Sequence, residues 1–508
     1  MSAPVATRVV VVGGGISGLA AAYSIVTSGR RSEGSPAVLL CEAGPGLGGC
    51  VRTVREGELL LEAGPDSLVT RKPAGVDLCR ELGLDAELVT AVTTRPAAQV
   101  LRRGERHDLP AGPGMAMPSG LGALLRDRLY SPAGKARLVA ERFVRPRRDG
   151  TDETLLEFVE RRLGGEAFER VVEPVVGGLF TGDARTFGAR LVVPRLVELE
   201  SRWGSLSAGA RADWREAMRR SAAAGGNGAS SPPLEWSAAQ VAPRQGMSEL
   251  VRALVERLER ADVPVSTESC AGSAGAIARG AEAVALRSGD GGCGFVVELR
   301  GRDPVRCDAV VLAVPAAPLA RLLRTLDHGK AAALAAAAGR LSYASCATVG
   351  LAYPRAALRQ PLRGLGLFVP RTEGTPILAV SYASEKFSGR APPSQLLLRV
   401  FVGGALHPEI LVRDDRELID LAHRAVAAWL GLDGRPLVAR VDRHAEGIPQ
   451  LVVGSDTHTG NVRRGLGEIP GLEVAGSALG VYGIPDCIAS GRDAAASVLR
   501  VLAEQPRR

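Results

Sequence analysis

The clearest pattern in the sequence is a short apolar run near its start, followed by closely spaced glycines. Residues 8–12 (RVVVV) are mostly β-branched, which is typical of a strand buried on both faces of a parallel sheet. Gly13, Gly15 and Gly18 follow with G-x-G-x-x-G spacing, and the run after them has a helical pattern. Residues 37–41 form a second apolar run. The pattern therefore predicts a strand, a tight turn, a helix and a second strand in parallel.

A turn of this kind is a candidate dinucleotide site. Its glycines permit the tight turn, the approach of backbone N–H groups to a pyrophosphate, and close packing of helix on strand. The N-terminus of the helix favours the negative charge of that pyrophosphate. Glu42 ends the second strand, where a carboxylate accepts bonds from ribose hydroxyls and repels a 2′-phosphate, which favours FAD or NAD over NADP. The candidate cradle comprises Gly13, Gly14, Gly15, Ile16, Ser17, Gly18 and Glu42.

Helical and strand patterns alternate along the rest of the chain. Residues 221–233 (SAAAGGNGASSPP) are low in complexity and predict a surface loop. The predicted elements include helices over residues 73–84 and 247–260, a strand that carries Val265, a buried strand over 309–315, a strand over 472–475 and a final helix.

Residues 115–148 combine apolar positions at helical spacing with many arginines. A helix with one apolar and one Arg-rich face can lie in a membrane interface. Most amphipathic helices, however, pack one face on a core and expose the other to water. Both interpretations stay open for the apolar residues Leu121, Leu124, Leu125, Leu129, Leu138, Val139 and Phe143 and their arginine neighbours.

The composition is that of a multidomain globular enzyme. The 508 residues predict two or three domains, and 46% are hydrophobic while 23% are charged. The net charge is +8, and arginine greatly outnumbers lysine. This excess reflects either the base composition of the gene or attraction to anionic lipids or a carboxylate-bearing substrate. No nucleic-acid-binding motif accompanies the charge, so nucleic acid is not an expected partner.

The cysteines and histidines do not predict a metal site. Eight cysteines are scattered singly and six histidines do not cluster, so neither zinc nor a disulfide framework is indicated. This usage fits a reducing cytoplasm. No uncharged stretch is long enough to cross a bilayer, and we expect any membrane contact to be peripheral.

A second glycine pair extends the N-terminal motif. Glu42, Leu47-Gly48-Gly49 and Arg52-Thr53 form the pattern E-x-x-x-x-L-G-G-x-x-R-T, which resembles the FAD-binding signature of the flavin amine oxidase and porphyrinogen oxidase superfamily. The resemblance implies FAD, bound extended and non-covalently. It also implies that a segment after a short strand lies beside the isoalloxazine ring. In this sequence that segment is Gly64, Pro65, Asp66 and Ser67.

The C-terminal block makes the resemblance more specific. Residues 476–491 (GSALGVYGIPDCIASG), with 364–370 (GLGLFVP) and 447–450 (GIPQ), resemble the oxygen-dependent protoporphyrinogen oxidases and coproporphyrinogen III oxidases. The similarity is collinear over nearly the whole chain. It implies that the last helix points its N-terminus at the flavin. The remaining residues assigned to the cofactor are Gly48, Gly49, Arg52, Val265, Gly476, Val481, Gly483, Ile484 and Asp486, the last also as a helix cap.

The resemblance implies an α/β and α+β architecture of three interleaved parts. A Rossmann-like FAD-binding domain comprises residues 1–72, 238–318 and 441–508. A mixed-sheet substrate-binding domain comprises 73–110, 206–237 and 319–440. A helical, membrane-associating domain covers 111–205.

The activity implied is six-electron oxidation of a porphyrinogen to a porphyrin in haem biosynthesis, with molecular oxygen as acceptor and hydrogen peroxide as product. Protoporphyrinogen IX is the leading substrate and coproporphyrinogen III the alternative. Flavin chemistry carries the reaction without a dedicated nucleophile. The expected partners include a second copy of the chain, which would form a homodimer. The substrate-binding positions are Arg95, Ala98, Leu365, Gly366 and Phe368.

Several positions depart from the family pattern. Ala98 stands where members carry a basic residue for a substrate propionate, Leu365 where an aromatic residue packs on the macrocycle, and Val481 where glycine is usual. Two other hypotheses therefore stay open. One is an amine oxidase or carotenoid desaturase, which the few aromatic residues and four lysines disfavour. The other is a flavin-binding protein without catalysis that serves as an interaction module.

Overall fold

The computed structural model describes residues 8–28, 36–92, 96–110, 121–147, 150–223, 240–260, 277–289 and 294–504. Within these ranges the strands are β1 (Arg8–Val12), β2 (Ala37–Glu42), β3 (Thr53–Glu56), β4 (Leu59–Glu62), β5 (Leu68–Val69), β6 (Leu88–Thr90), β7 (Gln99–Arg102), β8 (Glu105–Asp108), β9 (Gln240–Pro243), β10 (Ile277–Arg279), β11 (Ala283–Ser288), β12 (Phe295–Leu299), β13 (Val305–Cys307), β14 (Ala309–Leu312), β15 (Tyr343–Pro354), β16 (Gly366–Phe368), β17 (Ile377–Ser381), β18 (Gln395–Gly403), β19 (Val438–Pro449) and β20 (Leu472–Val474).

The helices of the described residues are α1 (Ile16–Ser28), α2 (Pro73–Glu81), α3 (Leu121–Arg126), α4 (Pro132–Ala140), α5 (Leu155–Leu163), α6 (Gly165–Ala167), α7 (Glu173–Phe180), α8 (Ala189–Val192), α9 (Pro194–Trp203), α10 (Leu206–Ala223), α11 (Ser248–Glu259), α12 (Ala316–Arg324), α13 (Ala331–Ala338), α14 (Ala383–Lys386), α15 (Asp415–Leu430), α16 (Ser455–Leu466) and α17 (Ile484–Glu504).

A parallel sheet holds the N-terminal motif. Its strand order is β10-β2-β1-β14-β20, so the apolar run at the start of the chain lies at the centre. Val9 and Val11 face one core with α1, α11 and α17, while Val10 and Val12 face a second core with α12, α13 and α16. Burial on both faces explains why this strand is an uninterrupted β-branched run.

A second, mixed sheet has the strand order β19-β15-β18-β17-β16-β7-β8. Its pairs are antiparallel except β16 and β7, which run parallel and bring residues 99–100 beside 367–368. One face of the sheet packs on α15. The other face meets the segment after β4, where the candidate site is built.

Helices α3 to α10 form a third region with its own core. Helix α5 starts at a capping box. The Glu157 N–H donates to the Thr154 hydroxyl, and the Thr154 N–H donates to the Glu157 carboxylate. Arg162 of the same helix forms an ion pair with Glu141, and neither side chain is exposed to solvent. Breaking such a buried pair from one side costs about 3–5 kcal/mol, so this pair fixes how the helices meet.

The predicted α/β and α+β fold class is confirmed: a parallel dinucleotide-type sheet, a mixed sheet and a helical region are all present. The division into domains stays a proposal. In the packing, α12 and α13 join the core of the parallel sheet, β19 lies in the mixed sheet, and α10 begins in the helical core at Leu206. Among the described residues, no helix has the length and apolar character needed to cross a membrane.

Candidate cofactor and substrate site

The glycine-rich turn lies at the carboxyl end of β1, where α1 begins. The Gly13 N–H donates to the Cys41 carbonyl over 2.8 Å, and the Gly48 N–H donates to the Gly14 carbonyl over 2.8 Å, so the two glycine motifs lie side by side. A Cβ added at Gly15 would find no atom within 4 Å. There is therefore open space on the side of Gly15 where a side chain would lie, and this leaves room for a pyrophosphate to approach the N-terminus of α1.

Glu42, the predicted ribose ligand, has its carboxylate fixed by backbone N–H groups. Its Oε2 accepts from the Gly14 N–H over 2.6 Å, and its Oε1 accepts from the Gly44 N–H over 2.7 Å. These bonds hold the carboxylate at the mouth of the turn. An ionised carboxylate has about four acceptor positions, so two stay available for the hydroxyls of one ribose.

The C-terminal block packs directly on the N-terminal turn. Gly491 of α17 lies so close to α1 that a Cβ there would overlap the Ser17 carbonyl oxygen. The Gly476 N–H donates to the Ser490 hydroxyl over 2.9 Å. Helix α17 begins at Ile484, directly after Gly483, with Val481 in the turn before it. The N-terminal and C-terminal motifs thus pack together, and we call residues 476–486 the covering turn.

Gly64 begins the segment predicted to lie beside the flavin ring, and its surroundings leave no room for a side chain. A Cβ at this position would overlap the Cys50 carbonyl oxygen. Just before it, Glu62 is almost fully buried. The Thr53 hydroxyl donates to its Oε2 over 2.7 Å, and the Met247 N–H donates to its Oε1 over 2.9 Å. Burial raises the pKa of Glu62, and these bonds oppose the rise.

Asp66 anchors the same segment to the mixed sheet. Lys386 Nζ donates to its Oδ1 over 2.8 Å, and Arg399 Nη1 lies 3.3 Å from its Oδ2. Burial alone would raise the pKa of Asp66, but the charges of Lys386 and Arg399 outweigh it and hold the pKa below its usual value. Pro65 lies before this ion pair, and the Ser67 hydroxyl donates to Asp66 Oδ1 over 2.8 Å.

Backbone carbonyls of the segment are also fixed by the mixed sheet. The Thr348 hydroxyl donates to the Ala63 carbonyl over 2.7 Å, and His444 Nε2 lies 2.8 Å from the same oxygen. Arg399 Nη2 donates to the Gly64 carbonyl. Burial lowers the pKa of His444, so the neutral ring serves as a hydrogen-bonding group. This network was not predicted from the sequence.

Two predicted cofactor residues pair with other side chains. Arg52 Nη2 lies 2.5 Å from Asp442 Oδ1 on β19. Asp486 lies in the first turn of α17 and receives Lys72 Nζ over 2.6 Å. The first ion pair joins the residue before β3 to β19, and the second joins the residue before α2 to the first turn of α17. Val265 and Arg95 lie outside the described residues.

Four predicted substrate residues lie in, or directly before, the neighbouring strands β7 and β16. Leu365 donates its N–H to the Ala97 carbonyl over 2.9 Å, directly before β16, which begins at Gly366. The Phe368 ring lies against Gly178 of α7. Ala98 is buried in the core of the helical region, so its methyl group packs there and does not offer a contact for a carboxylate.

The covering turn also contacts the helical region through Tyr482. Its hydroxyl donates to the Leu179 carbonyl, and its ring lies 4.6 Å, centroid to centroid, from Phe180. Leu179 is 41% exposed although it is large and apolar. These residues were missed because no local pattern distinguishes them from ordinary helix residues. These contacts join the covering turn to the end of α7.

The residues present fit a bound FAD. The open turn, the helix N-terminus and Glu42 match the pyrophosphate and ribose, while residues 64–67 and the covering turn offer a site for the ring. In the described residues no group of His, Cys, Asp or Glu could hold a metal ion. Such a site can position a reduced substrate against a redox cofactor.

Comparison with known proteins identifies relatives over nearly the full length. A family described as flavin containing amine oxidoreductase matches residues 16–499. Coproporphyrinogen III oxidase of Bacillus subtilis is 27% identical over 97% of this chain and 98% of its own length. Protoporphyrinogen oxidase of Homo sapiens is 32% identical over 97% and 98%. A crystal structure from Exiguobacterium sp. 255-15, provisionally described as a protoporphyrinogen oxidase, matches with a TM-score of 0.79 and 26% identity over 99% of this chain and 100% of that one.

Proposed function

The chain belongs to the flavin-containing amine oxidoreductase family, and on this premise we propose that it oxidises a porphyrinogen to a porphyrin with FAD and molecular oxygen. The reaction removes six electrons in three two-electron steps and yields hydrogen peroxide. Protoporphyrinogen IX is the proposed substrate, and coproporphyrinogen III is the alternative.

One observation carries the proposal: oxidases of these two porphyrinogens match 97% of the chain. The human enzyme aligns over 520 residues at 32% identity, so the similarity includes the mixed sheet and the helical region as well as the cofactor motifs. The predicted substrate residues Ala98, Leu365, Gly366 and Phe368 lie outside the cofactor cradle. Similarity there favours a shared substrate class.

Bound FAD supplies the two-electron redox chemistry. The chain's own residues bind and orient: α1 and Glu42 would hold the pyrophosphate and ribose, while Asp66, Lys386 and Arg399 keep residues 64–67 fixed. A rigid support lowers the cost of aligning the reacting atoms. The covering turn and Tyr482 would exclude water from the ring.

Oxidation of amines is the second candidate, because a buried lysine lies beside the predicted flavin segment. Lys386 is only 12% exposed. Its ammonium group, however, donates to Asp66 and also to the Ser67 hydroxyl, over 3.3 Å. These bonds favour a structural role for the lysine and therefore the porphyrinogen proposal.

The decisive experiment supplies both porphyrinogens, prepared without oxygen, to the FAD-loaded protein and records the rise of porphyrin fluorescence in air. We expect oxidation of at least one, and the ratio of kcat/KM for the two assigns the physiological substrate. Hydrogen peroxide should form at three molecules per porphyrin. Absence of fluorescence with both compounds would refute the proposal. Turnover of simple amines instead would favour the second candidate.

A peripheral membrane contact is proposed for the surface that we call the basic apolar patch. Phe143 is 75% exposed and Leu125 is 64% exposed, which is unusual for large apolar side chains. The Arg142 guanidinium lies 4.8 Å from the centre of the Phe143 ring. Exposed apolar groups beside arginines suit the interface of an anionic membrane at the cytoplasmic face. The basic apolar patch is the name for these exposed apolar side chains of the helical region and the arginines stacked on them, which are Leu125, Val139, Arg142, Phe143, Arg202 and Trp203.

A further inference from the structure

A small cavity lies between α7 and the hairpin of β16 and β17. Glu173, the first residue of α7, lies in its wall and is almost completely buried. The wall also includes Gly177, Gly178, Arg371, Thr375 and His407. The mechanism proposed above uses none of the charged groups in this cavity, so their role needs a separate explanation.

The helix that carries Glu173 has unusual backbone geometry at both ends. Residues 168–172 form a π-helical turn directly before it, and π-turns inside helices are frequently found at functional sites. Thr181 directly after it has a φ of 48°, a left-handed conformation that threonine rarely adopts. Both irregular ends are retained by surrounding contacts at a cost in backbone energy.

Charged groups of Arg371, Asp183 and Arg185 act on the Glu173 carboxyl. The backbone N–H of Arg371 donates to Glu173 Oε2 over 3.4 Å, and Arg371 Nη1 lies 3.8 Å from Asp183 Oδ2. Arg185 lies on the same loop as Asp183, and His407 also lines the cavity. Burial raises the pKa of Glu173 to about 7. The charge of Asp183 adds to this rise, while the charges of Arg371 and Arg185 oppose it. The carboxyl therefore changes its charge near neutral pH.

The far end of α7 contacts Phe368 and the covering turn. The Phe368 ring packs against Gly178, and the Leu179 carbonyl accepts from the Tyr482 hydroxyl of the covering turn. The Thr181 carbonyl accepts from the Ala405 N–H over 2.8 Å. A movement of α7 in its cavity would thus be transmitted to the predicted substrate residue Phe368 and to the covering turn.

We propose that Glu173 is a positioning residue: its carboxyl group sets how the end of α7 lies against Tyr482 and Phe368, and thereby the affinity for the porphyrinogen. The uncharged carboxyl is accommodated in the cavity and keeps α7 in the observed position. Ionisation makes burial costly, and α7 moves outward so that the carboxylate reaches water. The kinetic part rests on the proposed function, while the movement of α7 does not.

The first measurement is amide hydrogen exchange of the FAD-loaded protein at about pH 6 and about pH 8, corrected for the intrinsic pH dependence of exchange. We expect residues 174–182 to lose about threefold in protection at the higher pH. Glu173→Gln, which mimics the uncharged group, should show equal protection at both pH values. Glu169→Gln, an exposed residue of the same region, should behave as the wild type.

The second measurement is the pH profile of kcat and KM with the porphyrinogen that is turned over. We expect KM of the wild type to rise about threefold above neutral pH while kcat changes less, and Glu173→Gln to remove this rise. A merely structural role would lower stability without a KM that depends on the charge of this residue.

The outcomes separate the two proposals. If neither porphyrinogen is oxidised but the exchange difference is present, the proposed function fails and the positioning role stands. If turnover is normal and the wild type shows equal protection at both pH values, the positioning role is refuted. If Glu173→Gln does not fold, the exchange of the wild type alone decides, because a pH-independent protection of residues 174–182 contradicts the proposal.

Discussion

Among the glycines of the turn after β1, Gly15 has the most open space at the position where a side chain would lie. Its backbone is not in a left-handed conformation, and an added Cβ would touch nothing. Gly15→Ala should therefore fold normally but place a methyl group where the pyrophosphate approaches. We expect at least about a tenfold loss of FAD affinity, or about 1.4 kcal/mol, measured by titration of the apoprotein.

Gly329→Ala is the matched control for this substitution. Gly329 lies in an exposed loop between α12 and α13, and a Cβ there also meets no atom. This variant should bind FAD as the wild type does. Equal FAD affinity of both variants would show that the Gly15 turn does not contact the cofactor.

Glu173 also makes the stability of the protein depend on pH. Its pKa is about 7 in the folded state against 4.5 for an unperturbed carboxyl, so the folded state binds more protons between these values. Stability therefore falls as pH rises from the unfolded pKa to the folded pKa, by up to about 3 kcal/mol. In Glu173→Gln this decline should be missing.

Chemical denaturation at several pH values measures the effect. The free energy of unfolding of the wild type should decline relative to Glu173→Gln as pH rises from about 5 to about 8. A constant difference between the two proteins over this range would mean that Glu173 keeps an ordinary pKa.

The cofactor cradle could be predicted at the residue scale because its signal is local. Glycines at fixed spacing after a β-branched strand, and Glu42 at the end of the next, lie within one short part of the chain. Glu173 and Tyr482 could not be predicted, because their environment is made by residues far away in sequence. Only the folded chain places Arg371 beside Glu173 and Leu179 beside Tyr482.

At the scale of elements, the segment after β4 depends on the mixed sheet for its position. Lys386→Met would leave Asp66 buried with Arg399 as its charged partner. Removing one side of a buried pair costs about 3–5 kcal/mol, and we expect a loss in the lower part of this range because Arg399 stays in place. Thermal and chemical unfolding measure the loss.

Lys330→Met provides the comparison for Lys386. Lys330 also pairs with a carboxylate, Glu468 at 3.0 Å, but both side chains are more than half exposed. Exposed pairs contribute about 0–1 kcal/mol, so this variant should be nearly as stable as the wild type. If both lysine variants lose the same stability, the Asp66 pair is not a specific support of the site.

Element types were predicted better than their partners. The apolar run over residues 309–315 correctly indicated β14, and the helix predicted over 247–260 is α11. The packing of α12 and α13 on the parallel sheet was not foreseen, because their apolar faces would suit either sheet equally. Partner choice is set by long-range topology, which a local pattern does not encode.

At the scale of the whole molecule, the basic apolar patch predicts that the protein binds anionic membranes more strongly than zwitterionic ones. The double variant Leu125→Ser with Phe143→Ser removes the two most exposed apolar groups of the patch. It should lose most of its binding to vesicles that contain anionic lipid, measured by co-sedimentation, and keep its FAD content. Zwitterionic vesicles should bind the wild type weakly, because the arginines then lack their partner.

Val412→Ser is the control for the patch. Val412 is 88% exposed but lies after β18, outside the helical region. Its substitution should leave vesicle binding unchanged. Equal binding of the double variant and the wild type would assign the patch to another role.

The parallel sheet has a consequence for biosynthesis. β1 precedes the other strands of the described residues, yet its neighbour β14 acquires its outer partner, β20, only after residues 472–474 have emerged from the ribosome. The parallel sheet therefore stays incomplete until this late part of the chain has been made. A message truncated after residue 440 would yield a chain without β20 and α17, with one sheet edge uncovered, and such a product is a substrate for quality-control proteases.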